Sequence, residues 1–300
     1  FMIAIALFVY NRPEHTRRTI QTLQSAYLSE EVMLYVFSDG PKGLDDVNDV
    51  NAVRSLCSDI SGFAQANVVN RENNIGLAEN IISGLNIVFS EYDRVVVLED
   101  DLSVSRGYIK YMIDALEFYQ DKGVFSVSGY TPCVKIPSDY QFSTYVIPRN
   151  CSWGWGTWRE KWNSVDWDVK DFKHFIVENR LRDGFNLAGN DLTPMLLKQQ
   201  MGLINSWSIR FTYAAFKCGE PSVYPVRSLV NNNGVDGSGT NMRKSRKYSV
   251  VPVDDIDSSK FVEELTINEN ILCSFRSFYD TSFIRRIINY FIIKLFIKSI

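Results

Sequence analysis

Apolar residues come in short runs separated by stretches of mixed polarity. Residues 3–9 (IAIALFV) read as a buried first strand. Tyr10-Asn11-Arg12-Pro13 then turns the chain, with Pro13 placed to open a helix over 14–24. The pattern predicts a second strand over 32–37, ending in Ser38-Asp39-Gly40-Pro41, and a helix over 45–58. A short strand at 67–69 and a helix over 77–90 follow. Val95-Val96-Val97-Leu98 is the most apolar strand, and Glu99-Asp100-Asp101 follows it without a spacer. A helix over 108–120 and a strand over 124–127 complete this part. Alternation of this kind predicts an α/β fold: a mostly parallel sheet flanked by helical crossovers.

The texture then changes. Residues 150–167 hold five of the six tryptophans, Trp153, Trp155, Trp158, Trp162 and Trp167, with Gly154 and Gly156 between them. Two readings stand side by side: an aromatic platform for a ligand, or a small Trp-rich core. Asn190-Asp191-Leu192-Thr193-Pro194 looks like a helix start, with Asp191 as its cap and the helix running to about 200. Residues 231–240, with three asparagines and three glycines, read as a loop able to cover a ligand. The stretch 251–276 is mixed and gives no clear pattern. Residues 283–300 carry Arg285, Arg286, Lys294 and Lys298 and no acid, with Ile284, Ile288, Phe291, Ile292 and Leu295 on one helical face. That segment reads either as a docked helix or as a basic helix lying on an anionic membrane.

Composition narrows the classes. Hydrophobic residues make up 45% and charged residues 22%, enough for a sizeable core. A formal net charge of −3 gives no nucleic-acid footprint. The five cysteines form no C-x-x-C pair, so they read as reduced and buried, in keeping with a cytoplasmic protein. With only two histidines, chemistry built on a His triad is disfavoured. Met2 reads as the native start with no leader before the first strand, and Phe1 as a remnant ahead of it. No stretch reads as a transmembrane helix. Neither G-x-G-x-x-G nor G-x-x-x-x-G-K-[ST] follows the first strand, which excludes the usual dinucleotide and P-loop signatures.

The candidate chemistry lies at Glu99-Asp100-Asp101. Three adjacent carboxylates at the end of a buried strand repel one another and need a counter-charge. Oxygen ligands suit Mg²⁺ or Mn²⁺, with Asp101 as the metal ligand; the other reading is a solvated acidic turn that caps the next helix. In open α/β sheets ligands bind at the carboxyl ends of the strands, where these acids lie. The same edge should gather Tyr10, Arg12, Asp39 and Asn74, with Glu99 and Asp100, around a nucleotide.

These residues resemble a glycosyltransferase of the GT-A fold. Phe8-Val9-Tyr10-Asn11-Arg12-Pro13 is similar to the opening strand of family-2-type enzymes, and Ser38-Asp39-Gly40 to the segment whose Asp reads the base. Asn74-Ile75-Gly76-Leu77-Ala78-Glu79-Asn80 resembles their N-x-G-x-x-x-A-x-N helix start, and Glu99-Asp100-Asp101 stands at the D-x-D position. The acidic triplet and Ser152-Trp153-Gly154-Trp155-Gly156-Thr157-Trp158 are closest to the Golgi N-acetylglucosaminyltransferase family.

The resemblance implies a GT-A sheet with an acceptor-side subdomain and a C-terminal helical tail. Residues 1–130 would bind the nucleotide-sugar, 131–250 the acceptor, and 251–300 would form an extension. It implies a metal-dependent, inverting transfer from a UDP-sugar to a saccharide or lipid-linked saccharide in bacterial surface polysaccharide synthesis, at the inner face of the cytoplasmic membrane. Trp153, Trp155 and Trp158 would meet the acceptor. Asp191 is the first candidate for the base and Asp236 the second. Trp207 is followed by Ser208 and Ile209 where the Golgi family has paired aspartates. That departure keeps open a noncatalytic glycan-binding protein. A sugar-nucleotide pyrophosphorylase is the other alternative, though Tyr10-Asn11-Arg12-Pro13 lacks the Gly-rich loop of that class.

Overall fold

Every residue of Ala4–Val9 (β1) is buried, because helices cover both faces of the sheet that it centres. Ile5, Leu7 and Val9 join one core and Ala4, Ala6 and Phe8 the other, as a period of two requires. The computed structural model describes residues 3–236 and 247–299, with only the backbone at 235 and 236.

Three further strands lie parallel to the first: β2 (Met33–Ser38), β3 (Gln65–Asn70) and β4 (Arg94–Glu99). The helices Pro13–Gln24, Val47–Cys57 and Leu77–Glu91 join them, each within a residue or two of the predicted span. Helix Pro13–Gln24 buries Ile20 and Leu23 on one face of the sheet, and helix Leu77–Glu91 buries Ile81, Leu85 and Val88 on the other. Strand order in this half is β3-β2-β1-β4, the doubly wound, Rossmann-like arrangement.

The chain continues through β5 (Leu102–Val104), β6 (Ser126–Ser128), β7 (Thr144–Ile147), β8 (Trp155–Trp158), β9 (Ser222–Pro225) and β10 (Val230–Asn232). β8 pairs antiparallel with both β4 and β6, so the sheet runs on as β4-β8-β6-β9-β7. The two halves expected from the sequence therefore share one eight-stranded sheet. β5 and β10 form a separate antiparallel pair. Residues 231–232, expected in a loop, are thus strand, and Asn233–Asp236 is a 3₁₀ turn. The remainder of that expected loop, 237–240, lies outside the described residues.

Helices Phe172–Val177, Asn179–Phe185 and Trp207–Cys218 had no clear signal. The last is opened by Ser206, whose Oγ accepts from Ile209 N at 3.4 Å. Helix Glu269–Tyr279 buries Ile271, Leu272 and Phe275 in the main core, so 251–300 is not simply a tail. The last helix, Phe283–Ser299, packs Ile293, Phe296 and Ile297 on a third cluster containing Phe172 and Leu196. All five cysteines are free thiols, but only Cys57 and Cys151 are buried; Cys133, Cys218 and Cys273 are exposed, against expectation.

Candidate active site

Strand order reverses between β1 and β4, and the carboxyl ends of both strands emerge there. The register sets Phe8 beside Glu99 and Val9 beside Ser38, so Tyr10–Arg12, Asp39 and Glu99–Asp101 all leave the sheet at one edge. This is the switch-point crevice where ligands of open α/β sheets bind.

The counter-charge demanded by the acids comes from the chain itself. Arg12 forks onto Asp100, pairing Nη2 with Oδ1 and placing Nε 3.4 Å from Oδ2. Its Nη1 lies 3.0 Å from Asp101 Oδ2 but makes no aligned hydrogen bond. The cation expected at the triplet is met in part by this guanidinium, which already offsets some of its charge. Burial works against the Arg12 charge, yet Asp100 and Asp101 outweigh it and raise the guanidinium pKa. Burial pushes Asp100 up while Arg12 pulls it back. Glu99 is pushed up to about 8, by burial first and then by repulsion from Asp101 and Asp100. Thr19 Oγ1 donates to the Asp100 carbonyl at 2.7 Å and fixes this turn to the first helix.

Asp101 stands at the rim against the β10 turn. Asn233 N donates to the Asp101 carbonyl at 2.8 Å, and Gly234 N donates to Asn232 Oδ1 at 2.7 Å. A Cβ at Gly234 would collide with Asp101 Oδ2, so a larger residue there would have to displace that carboxylate. Among the described residues no group of three His, Cys, Asp or Glu is arranged to hold a metal ion. The donor set suits a different kind of site: one rim carboxylate whose remaining ligands come from substrate phosphates, as Mg²⁺ sites commonly have.

Asp39 is buried and saturated. Its Oδ1 accepts from Gly40 N and Ile75 N, both at 2.9 Å, and its Oδ2 from Asn74 Nδ2 and Gly76 N, both at 3.0 Å. Four donors fill the four acceptor positions of a carboxylate. Asp39 thereby clamps the end of β2 to the start of helix Leu77–Glu91, where Gly76 takes φ +79°. A nucleobase N–H reaches it only by displacing one of these bonds. The Asn74 bond is the least costly to displace, since Nδ2 also donates to Gly40 O at 2.8 Å.

Tyr10 Oη donates to Asp46 Oδ2 at 2.6 Å, and Asn11 Nδ2 donates to Asp46 Oδ1 at 2.9 Å. Burial and the Asp46 bond together push the phenol up to about 12. Asp46 was not foreseen; its partners lie 35 and 36 residues away, beyond any local pattern.

The Trp-rich segment divides. Trp153 is half-buried, edge-on to Tyr130 at 4.7 Å and to Tyr248 at 5.5 Å. Trp155 is 0% exposed and stacks on Trp207 at 4.9 Å, while Trp158 is 4% exposed and donates Nε1–H to Leu116 O at 3.1 Å. Both belong to the buried strand β8, on opposite faces of the sheet, and neither offers a ring to an acceptor. Of the three tryptophans expected to meet an acceptor, only Trp153 is partly exposed.

Asp191 stands at a helix N-terminus, but its carboxylate caps no backbone N–H. Arg149, a residue the sequence did not flag, grips it instead, with Nη1–Oδ1 2.7 Å and Nη2–Oδ2 2.8 Å. The guanidinium lies 3.9 Å over the Tyr279 ring. Burial opposes its charge, but Asp191 holds its pKa above the ordinary value. Burial pushes the Cys151 thiol up to about 11. The Asp236 side chain lies outside the described residues.

No protein-family model matches this sequence, and no curated protein matches it. Among solved structures, a mannosyltransferase from Pyrobaculum calidifontis, in complex with GDP-Man and Mn²⁺, aligns over 53% of this chain and 44% of its own. The TM-score is 0.36 and the identity 16%. TarS from S. aureus aligns over 82% of this chain and 41% of its own, with TM-score 0.42 and 11% identity. The chain spans less than half the length of either. Likeness at this level carries no argument about activity, which has to come from the site.

Proposed function

We propose that this chain is a metal-dependent glycosyltransferase of the GT-A type. It would move a sugar, with inversion, from a UDP-sugar to a saccharide or lipid-linked saccharide in bacterial surface polysaccharide synthesis. The observation that carries the reading is the Arg12–Asp100–Asp101 cluster at the switch point between β1 and β4.

Asp101 is the residue that would hold Mn²⁺ or Mg²⁺, because it stands half-buried at the rim against the β10 turn, without an aligned hydrogen bond from Arg12. When bound, the ion neutralises charge developing on the leaving diphosphate. Asp100 keeps Arg12 oriented toward the same place, and the guanidinium adds a fixed positive charge beside the phosphates. Asp39 accepts the uracil ring N–H in exchange for its Asn74 bond. Trp153, half-buried, would meet the acceptor.

Asp191 takes the acceptor proton. Among the described residues only the Arg149 fork bonds its carboxylate, taking two of its four acceptor positions, one on each oxygen. Asp236 is the alternative base. The same fork also favours a second reading, a noncatalytic glycan-binding protein, because a carboxylate locked by an arginine has a structural role already.

Thermal unfolding with a panel of nucleotide sugars and Mn²⁺ tests the proposal. A UDP-sugar should raise Tm, and chelator or Asp101→Asn should remove the effect. Protection by GDP-sugars to the same extent would remove Asp39 from base reading. No protection by any nucleotide sugar would refute the donor site. Protection without slow, metal-dependent release of UDP would favour the noncatalytic reading.

A further inference from the structure

The last helix, Phe283–Ser299, has two apolar sides, and only one is used by the fold. Asn289 is buried, and Ile293, Phe296 and Ile297 pack on the third core cluster, Phe296 meeting Phe172 at 5.9 Å between ring centroids. At about 100° per residue the opposite side carries Ile284, Ile287, Ile288, Phe291 and Leu295. Three of these, Ile284, Phe291 and Leu295, are 71%, 57% and 67% exposed. Five large apolar residues in one outward stripe are far more than scattered surface residues explain.

The charge on this helix indicates what covers the stripe. Arg285, Arg286, Lys294 and Lys298 are all exposed, and the helix has no acid, whereas the whole chain carries a formal −3. Lys294 and Lys298 fall on the outward half, beside Ile287 and Phe291, where their stems can lie along apolar surface and their ammonium groups can reach anionic headgroups. A net-negative chain with a cationic, apolar helix can be oriented by an anionic surface through that helix. Among the described residues no helix is long and apolar enough to cross a membrane. We infer that Phe283–Ser299 is an interfacial anchor that lays its outward stripe into the headgroup layer of an anionic lipid bilayer while its inner side stays docked on the protein.

The inference stands independently of the glycosyl-transfer reading. Vesicle co-sedimentation of the full chain tests it, using phosphatidylcholine with and without phosphatidylglycerol. Binding should need phosphatidylglycerol, with about a thirtyfold preference if the two lysines reach the headgroups. It should weaken with salt. Phe291→Glu with Leu295→Glu should abolish binding and leave Tm unchanged, because both side chains point away from the docked face. Lys294→Gln with Lys298→Gln should remove the lipid preference. Failure of the parent chain to bind phosphatidylglycerol vesicles would overturn the inference, as would equal binding by the Phe291/Leu295 variant. A concentration-dependent dimer that the same variant dissolves, without vesicle binding, would assign the stripe to a second copy instead.

Discussion

Replacing Arg12 by Met isolates the cation that the fold supplies to its own acidic triplet. The substitution keeps most of the side-chain volume and removes the charge. Asp100 is then a buried carboxylate facing Asp101 and Glu99 with its Arg12 fork gone. Breaking a buried pair in this way costs about 3–5 kcal/mol, and the 20% exposure of the Arg12 side chain argues for the lower end. For a chain of this size a loss of about 3 kcal/mol lowers Tm by roughly 6 °C. The penalty belongs to the stranded charge, so Arg12→Met combined with Asp100→Asn should recover much of it, with a coupling of about 2 kcal/mol. Without the guanidinium the acids should also bind a divalent ion more readily. Mn²⁺ at a hundred times its Kd should therefore restore about 2.7 kcal/mol. The assay is denaturant unfolding in chelator and in Mn²⁺ for the parent, both single variants and the double variant. Strict additivity, or a loss below about 0.5 kcal/mol in Arg12→Met, would refute the claim that Arg12 neutralises the triplet.

Three other perturbations bear on neighbouring parts of the site. Glu99 has a folded-state pKa raised to about 8, from an ordinary value of 4.5. In chelator, stability should therefore fall as pH rises across that window, and Glu99→Gln should flatten the fall in a pH series of thermal melts. Trp155→Ala should cost about 3–5 kcal/mol as a core cavity, while Trp153→Ala, at a half-buried position, should cost less and raise the acceptor KM. Gly234→Ala should displace Asp101 and lose about 1–3 kcal/mol, with weaker Mn²⁺ binding by calorimetry.

The parallel half of the fold was legible because its residues state their surroundings locally. Residues 3–9 and Val95-Val96-Val97-Leu98 are apolar at odd and even positions alike, which only a sheet covered on both faces explains. The second half was less so: the strand read over 124–127 corresponds to β6, but β7, β8 and β9 are four residues long and buried at every position, with no alternation to mark them. Trp155 and Trp158 show the consequence. Gly154 and Gly156 alternate with Trp153 and Trp155, and Gly156 is small because β8 lies against Met112, Leu116 and the Val95 carbonyl.

Electrostatic need was legible while its solution was not. Three consecutive carboxylates behind a buried strand require a positive charge, and that much follows from residues 95–101 alone. The group that answers, Arg12, lies 88 residues from Asp100 and belongs to another strand end. Asp191 repeats the lesson: its partner Arg149 is 42 residues away, and the spacing of Asn190-Asp191-Leu192 signals only a cap. Sequence proximity reports how many like charges must share a place. It carries no record of which distant element folds against them, because that is decided by strand order. Here the order β3-β2-β1-β4 sets the end of β1 beside the end of β4, and with it Arg12 beside Asp100. A carboxylate triplet at a switch point should accordingly be read with the turn after the neighbouring strand, since that turn is the nearest source of a fixed cation.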